Sequence, residues 1–395
     1  MVRFATAAAT DVEIDVAMSR LVAAVRERLA GEPADALLVY FGTAHAASAD
    51  VIGRRLRAEY PGAKLLGASV GGVIGGDREY ESPRAISLAA LRLEAASVRE
   101  FHVEADGLPS PDAGPAAWHA AIGVSPAEHP SFVVTADPWS FPAETLVAGL
   151  DFAYPNSVTV GGLASGASRP GEQTLLVGDR VVHGGAVGLA LTGDVMLVPA
   201  VAQGCRPIGP VLTVTRCEDN LVHELDGRPA LEAAQRVLRD VSERDRELAR
   251  SAQLYVGLET DPFGGAPDGS WLVRNILGRE RDGGGLYVGE RMRQGRRVRF
   301  HVRDRVSSAE DLDRILLAAH DGPGHGCVGA LLFSCLGRGM HLYGVPDHDT
   351  RAFHARFPRA PVAGFFCSGE IGPVGGQTHL HGFTSAFGLL RSRSG

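Results

Sequence analysis

Apolar and polar positions follow two periods along this chain, and their order repeats. Val12, Val16, Leu21, Val22, Val25 and Leu29 recur at roughly helical spacing with Arg20, Arg26, Glu27 and Arg28 between them. That pattern predicts an amphipathic helix over 11–30, ending at Gly31. The continuous apolar run 36–42 suits a buried strand. A helix over 47–60 is broken by Pro61, and a strand over 64–70 enters Gly71-Gly72-Val73-Ile74-Gly75-Gly76 before a return strand over 85–93.

The same order recurs twice. Strand 131–136, helix 142–152, strand 157–160 and the turn 161–166 are followed by a hairpin over 175–191. Strand 328–335, helix 350–357, strand 362–366, the turn 364–376 and a return strand over 382–390 form the third copy. The copies align on the aromatic–proline pair closing each helix: Tyr60-Pro61, Tyr154-Pro155 and Phe357-Pro358. Six residues past each proline stand Gly67, Gly161 and Gly364; eleven past stand Gly72, Gly166 and Gly369. Shared glycine columns at fixed offsets indicate a threefold β-α-β-β module.

Between the second and third copies the pattern changes to strands over 211–216, 254–258, 271–277, 285–288 and 297–302, with helices over 229–241 and 311–319. The connector 204–210, carrying Pro207 and Pro210, marks the expected boundary. The expected organisation is two related α/β sandwich halves built from repeated β-α-β-β modules with mixed sheets: 1–205 with two modules, and 206–395 with the meander and the third.

Composition narrows the class. A net charge of −7 gives no electrostatic reason to expect nucleic acid. Five cysteines without a C-x-x-C pair suggest neither a disulfide framework nor structural zinc, so free thiols in a reducing compartment are expected. No basic leader precedes an apolar core, and no run approaches the ~18 apolar residues of a membrane span. The chain reads as cytoplasmic, without a membrane partner.

Candidate chemistry gathers in the third glycine turn. Cys367, Ser368, Gly369 and Glu370 stand at a strand end, where α/β folds place ligands, and His379 and His381 follow. Two histidines two apart share a face of a strand, yet a full metal set is not identifiable, and no metal is expected. Gly67-Ala68-Ser69-Val70-Gly71 matches G-x-S-x-G but lacks the helix an oxyanion hole requires. The turns carry neither phosphate-loop nor dinucleotide signatures. A small anionic ligand held by backbone N–H groups, with Arg274-Asn275 or Arg338 beside it, stays open. Asp347 and Asp349 are placed to cap the helix that follows. Capping leaves His348 without a role.

The stretches 330–339, 346–349 and 364–376 with His381-Gly382-Phe383-Thr384 closely resemble the C-terminal half of FIST domains. Residues 274–278 and 286–290 resemble earlier motifs of that half, and 66–76 and 160–166 resemble the N-terminal half. The resemblance implies a sensory domain for small ligands, amino acids or their derivatives, found alone, fused to bacterial signalling modules or joined to an F-box. With about thirty residues before the first module and no kinase, cyclase or methyl-accepting helix after the third, the stand-alone bacterial type acting through a signalling partner is expected here. The resemblance also implies a departure at Asp347, where the closest pattern has Asn.

The expected ligand contacts are Cys367, Ser368, Gly369, Glu370, His379, His381, Arg338, His348, Arg274, Asn275, Ser69 and Gly72, in a cleft between the two halves, with no cofactor and no catalytic residue. Two alternatives stand beside this reading. One is an enzyme using Cys367 with a histidine base. The other, drawn from the resemblance, is a haem-based nitric oxide sensor.

Overall fold

The structure is a computed structural model that describes residues 2–110, 112–260 and 271–394. The chain forms the mixed α/β architecture with mixed sheets that the repeats predict. Contacts divide it into two compact units: Met1–Val201 with Arg314–Pro373 and Gln377–Gly395, and Ala202–Asp313 with Val374–Gly376. The third module therefore shares a unit with the first two.

The first module comprises β1 (Val2–Ala9), α1 (Ile14–Arg28), β2 (Ala36–Gly42), α2 (Ala49–Glu59), β3 (Lys64–Val70), β4 (Val73–Gly75), β5 (Arg78–Tyr80) and β6 (Ile86–Leu93). The second repeats it as β7 (Ala96–Val103), α3 (Pro115–Ile122), β8 (Ser131–Ala136), α4 (Ala143–Ala153), β9 (Thr159–Leu163), β10 (Leu175–Val177), β11 (Arg180–Val182) and β12 (Ala186–Gly193). The third opens with β13 (Met196–Ala202). The second unit then intervenes, with β14 (Arg206–Glu218), β15 (Leu221–Leu225), β16 (Arg228–Pro229), α5 (Ala230–Arg239), α6 (Glu243–Arg250), β17 (Leu254–Glu259), β18 (Trp271–Arg279), β19 (Leu286–Val288) and β20 (Arg297–Val302). α7 (Arg305–Asp321) leads back to β21 (Gly329–Cys335), α8 (Gly339–Tyr343), α9 (His348–Arg356), β22 (Val362–Cys367), β23 (Gly369–Val374), β24 (Gln377–His381) and β25 (Ser385–Arg391).

Each module pairs its two central strands in parallel and its return strand antiparallel beside them. The short hairpin between them leaves home. β10-β11 joins the first sheet beside β3, β23-β24 joins the second beside β9, and β4-β5 joins the third beside β22. Each module thus lends its hairpin to another, a cyclic exchange that closes the three sheets into a trefoil.

Alternate residues of every central strand face inward, where Leu38, Val133, Leu331, Phe333 and Phe365 share one apolar core. Outer faces are covered by α1 and α2 on the first sheet and by α3 and α4 on the second. Burial on both faces is why these strands read as unbroken apolar runs. The edge strands β1, β7 and β13, which the sequence pattern did not single out, flank the return strands.

The first glycine column has one steric cause. A Cβ at Gly161 would collide with the Val134 carbonyl, one at Gly364 with that of Leu332, and one at Gly67 would lie 2.6 Å from that of Val39. These are the facing residues of the paired strands. The second column divides: the incoming hairpins bring Gly72, Thr174 and Gly369 to equivalent places, while Gly166 packs against the backbone of Ser69.

In the second unit β14, β20, β17, β18, β19 and β15 run in that order, and β15 pairs back to β14, closing a barrel. Val214, Val256, Leu272, Val288 and Phe300 belong to its apolar cluster, and residues of α5 pack against it.

Candidate ligand site at the strand ends

β21 ends at Cys335, and the chain turns through Leu336 and Gly337 into Arg338, which is wholly buried. A guanidinium out of water needs a partner and filled donors. Asp349 in α9 supplies the partner: Arg338 Nε donates to Asp349 Oδ2 at 2.8 Å and Nη2 to Oδ1 at 3.0 Å. Nη2 also donates to the Tyr343 hydroxyl at 2.6 Å, and Nη1 to the Phe383 carbonyl at 3.3 Å. Asp349 further accepts from the hydroxyls of Ser334 and Ser385. His348 Nδ1 lies 3.1 Å from Asp349 Oδ1, and its ring stacks on Tyr343 at 3.4 Å. Burial by itself would raise the Asp349 carboxyl; Arg338, with the hydrogen bonds from His348 and Ser385, outweighs it and holds the group well below the usual carboxylate range.

Two more carboxyl groups join it, Glu79 from the lent hairpin of the first module and Asp347 from the residue before α9. β5 lies against the start of α9, where Glu79 Oε1 accepts from Thr350 N at 2.8 Å. Asp347 precedes α9 in the left-handed region at φ 61° and makes no side-chain cap to it. The capping role expected of Asp347 or Asp349 thus falls to Glu79, which reaches α9 from a strand of another module. Asp347 instead accepts from Glu79 N at 2.8 Å and pairs with Arg78 at 3.2 Å.

Asp349 has Arg338, and Asp347 has Arg78 and, at 3.8 Å, Arg351, but Glu79 has no cation of its own among the described residues. Its Oε2 is buried without a hydrogen-bond partner there. Burial first, then the charge of Asp349, pushes the Glu79 carboxyl from 4.5 up to about 8, against the hydrogen bonds from Thr350. Glu79 therefore holds a proton at neutral pH.

This proton has a sign in stability. Between pH 4.5 and about 8 the folded chain keeps it while the unfolded chain releases it, so the Glu79 contribution falls as pH rises through that window. Glu79→Gln keeps an acceptor for Thr350 and removes the titration. Relative to the unsubstituted protein, the variant should gain about 3–5 kcal/mol between pH 5 and pH 8.5. Urea midpoints at several pH values measure this, and parallel profiles would refute it.

The remaining expected contacts lie as follows. Cys367 ends β22 wholly buried, facing the trefoil core at a position that Val70 and Ala164 occupy in the other modules. Its thiol donates to the Phe365 carbonyl at 3.6 Å, and a Cβ at Gly162 would strike it. Burial, then Glu370 and Cys335, push that thiol well up. Ser368 is exposed, and its N–H donates to Leu163 O at 3.1 Å, while Gly369 pairs with Leu163. Glu370 stands where the other hairpins carry Val73 and Leu175; its Oε2 accepts from Thr384 N at 2.9 Å. His381 is buried with Nε2 2.8 Å from Gly372 O, and the His379 ring centroid lies 6.0 Å away.

Gly72 O accepts from Phe366 N, and Ser69 Oγ accepts from Gln173 Nε2 at 2.9 Å. Arg274 and Asn275 belong to the second unit, where Arg274 pairs with Glu290 at 3.0 Å and Asn275 O accepts from Gly289 N. Arg338 and His348 thus share one network. Glu370 is linked to it through the 383–385 segment, which also receives Arg338.

Glu79, Tyr343, Ser334 and Ser385 were missed as site residues. No local motif marks any of them as a site residue. Among the described residues no group of three or more histidine, cysteine, aspartate or glutamate side chains is arranged to hold a metal ion. Nor is any helix there long and apolar enough to cross a membrane.

A FIST N domain model matches residues 36–228, and a FIST C domain model matches 230–373. The chain belongs to the FIST family, a family of sensory ligand-binding domains. Its relatives include an uncharacterized protein of Mycobacterium tuberculosis, 33% identical over 98% of this chain and 99% of that protein. An uncharacterized protein of Mycobacterium bovis is 34% identical over 92% of both chains. Among solved structures, a cyanuric acid hydrolase from A. caulinodans aligns over the whole of both chains at 9% identity with a TM-score of 0.37, a likeness too weak to bear on chemistry.

Proposed function

We propose that this protein is a cytoplasmic, non-enzymatic sensor of an amino acid or a related small metabolite bearing an ammonium group. It would report occupancy to a signalling partner through α8 and α9. The observation that carries the reading is the missing cation at Glu79: of three clustered carboxyl groups, Asp349 pairs with Arg338 and Asp347 with Arg78 and Arg351, while Glu79 has no cation among the described residues and keeps a proton instead. An arriving ammonium supplies the absent charge and displaces that proton. Arg78, Arg351 and, in part, His348 are the members of the cluster that face solvent. Cys367 speaks against the cysteine-enzyme alternative, since its buried thiol is held away from the reactive thiolate.

Thermal-shift screening with amino acids, simple amines and small carboxylates tests the reading. Ammonium ligands should raise the melting temperature, and calorimetry in buffers of different ionisation enthalpy should show close to one proton released per ligand at pH 7. Glu79→Gln should bind without that release. A well-folded sample stabilised by none of these compounds, or one that releases no proton, would count against it.

A further inference from the structure

The second unit holds a cleft of about 280 Å³ that plays no part in the site above. One wall is α5; the other is the stretch of β14 where its pairing with β20 breaks between Ile208 and Leu212. Two residues explain the break. Gly209 lies in the left-handed region at φ 63°, where a Cβ would also strike Val237, and Pro210 has no N–H to give a ladder. The bulge is fixed by Arg299, whose Nε donates to Gly209 O at 2.9 Å.

The floor is apolar and buried, made by Leu212, Leu225, Ala233 and Val237. The rim is charged. Asp226 is committed, its Oδ1 accepting from Thr213 N at 2.8 Å. Among the described residues Arg228 has only Glu232, at 3.6 Å, beyond hydrogen-bonding distance. Arg236 is exposed and makes no hydrogen bond or ion pair among the described residues. Asp240, one helical turn from Arg236, is the remaining carboxylate.

We propose that this cleft binds a small monocarboxylate with an apolar tail, its carboxylate held by Arg236 and Arg228 and its tail lying on the Leu212–Val237 floor. A planar guanidinium fork without a partner suits a carboxylate. The volume exceeds the roughly 150 Å³ that encloses benzene, so a phenyl ring or a six-carbon chain fits with its head at the rim. The site is separate from that at Glu79 and does not depend on the function proposed for it.

Titration calorimetry of the full chain with phenylacetate and hexanoate, against 2-phenylethanol and hexanol, tests the assignment. Both acids should bind saturably, with the alcohols about tenfold weaker or more. Arg236→Glu should weaken the acids at least about tenfold without moving the melting temperature, since Arg236 is exposed and makes no hydrogen bond or ion pair among the described residues. Asp240→Asn should strengthen them, and Glu79→Gln should leave them unchanged. Equal binding of acids and alcohols, an Arg236→Glu variant that binds as before, or no saturable binding would overturn the proposal.

Discussion

Arg338→Met should lower the stability of the trefoil unit by about 3–5 kcal/mol, the loss expected when one member of a buried ion pair is removed and the other remains. Methionine fills much of the space but leaves Asp349 wholly buried with only uncharged donors beside His348. Tyr343 and the Phe383 carbonyl lose their hydrogen bonds from Arg338 as well. The double variant Arg338→Met with Asp349→Leu should recover a substantial part of the loss, because the penalty lies mainly in the stranded charge. Urea unfolding midpoints of the single and double variants measure both quantities. A single variant within about 1 kcal/mol of the unsubstituted protein would show that the pair does not hold β21 to α9.

An equally large effect should come from a single methyl group at the first glycine column. Gly364→Ala and Gly161→Ala each drive a Cβ into a carbonyl oxygen of the neighbouring parallel strand, and backbone there cannot give way as a side chain could. Each should cost about 3 kcal/mol or more, at the upper end for overpacking. Gly67→Ala meets the Val39 carbonyl at 2.6 Å and should cost less. Melting temperatures of the three variants should follow that order. An alanine tolerated at Gly364 would mean that the strand pairing there is looser than described.

The two effects differ in how far the sequence announced them. The glycine column was legible because strand, helix, aromatic–proline pair and strand recur at the same offsets three times. Local sterics impose the same residue wherever two strands approach in the same way. The Arg338 network was half legible. Arg338 and His348 drew notice in a loop at a strand end, and Asp349 was read only as a cap. Glu79 lies some 270 positions before Thr350, on a hairpin lent by another module, and no local pattern connects them. Cys367 and Glu370 stood out as peculiar to the third turn. Their places among Val70, Ala164, Val73 and Leu175 could be seen only once the hairpins were matched to their host sheets.

By itself the sequence determined the elements, the threefold repeat and the family, because each rests on hydrophobic period, turn residues and short motifs that act within one module. α1, β2, α2, β3 and β6 lie within a few residues of their predicted spans for that reason. Which sheet receives each hairpin, the gathering of the third module with the first two, and the meeting of Glu79 with α9 were decided only in three dimensions. A strand offers the same hydrogen-bonding edge to any partner. The choice among partners is made by packing between residues far apart in the chain, and no spacing along it records that choice.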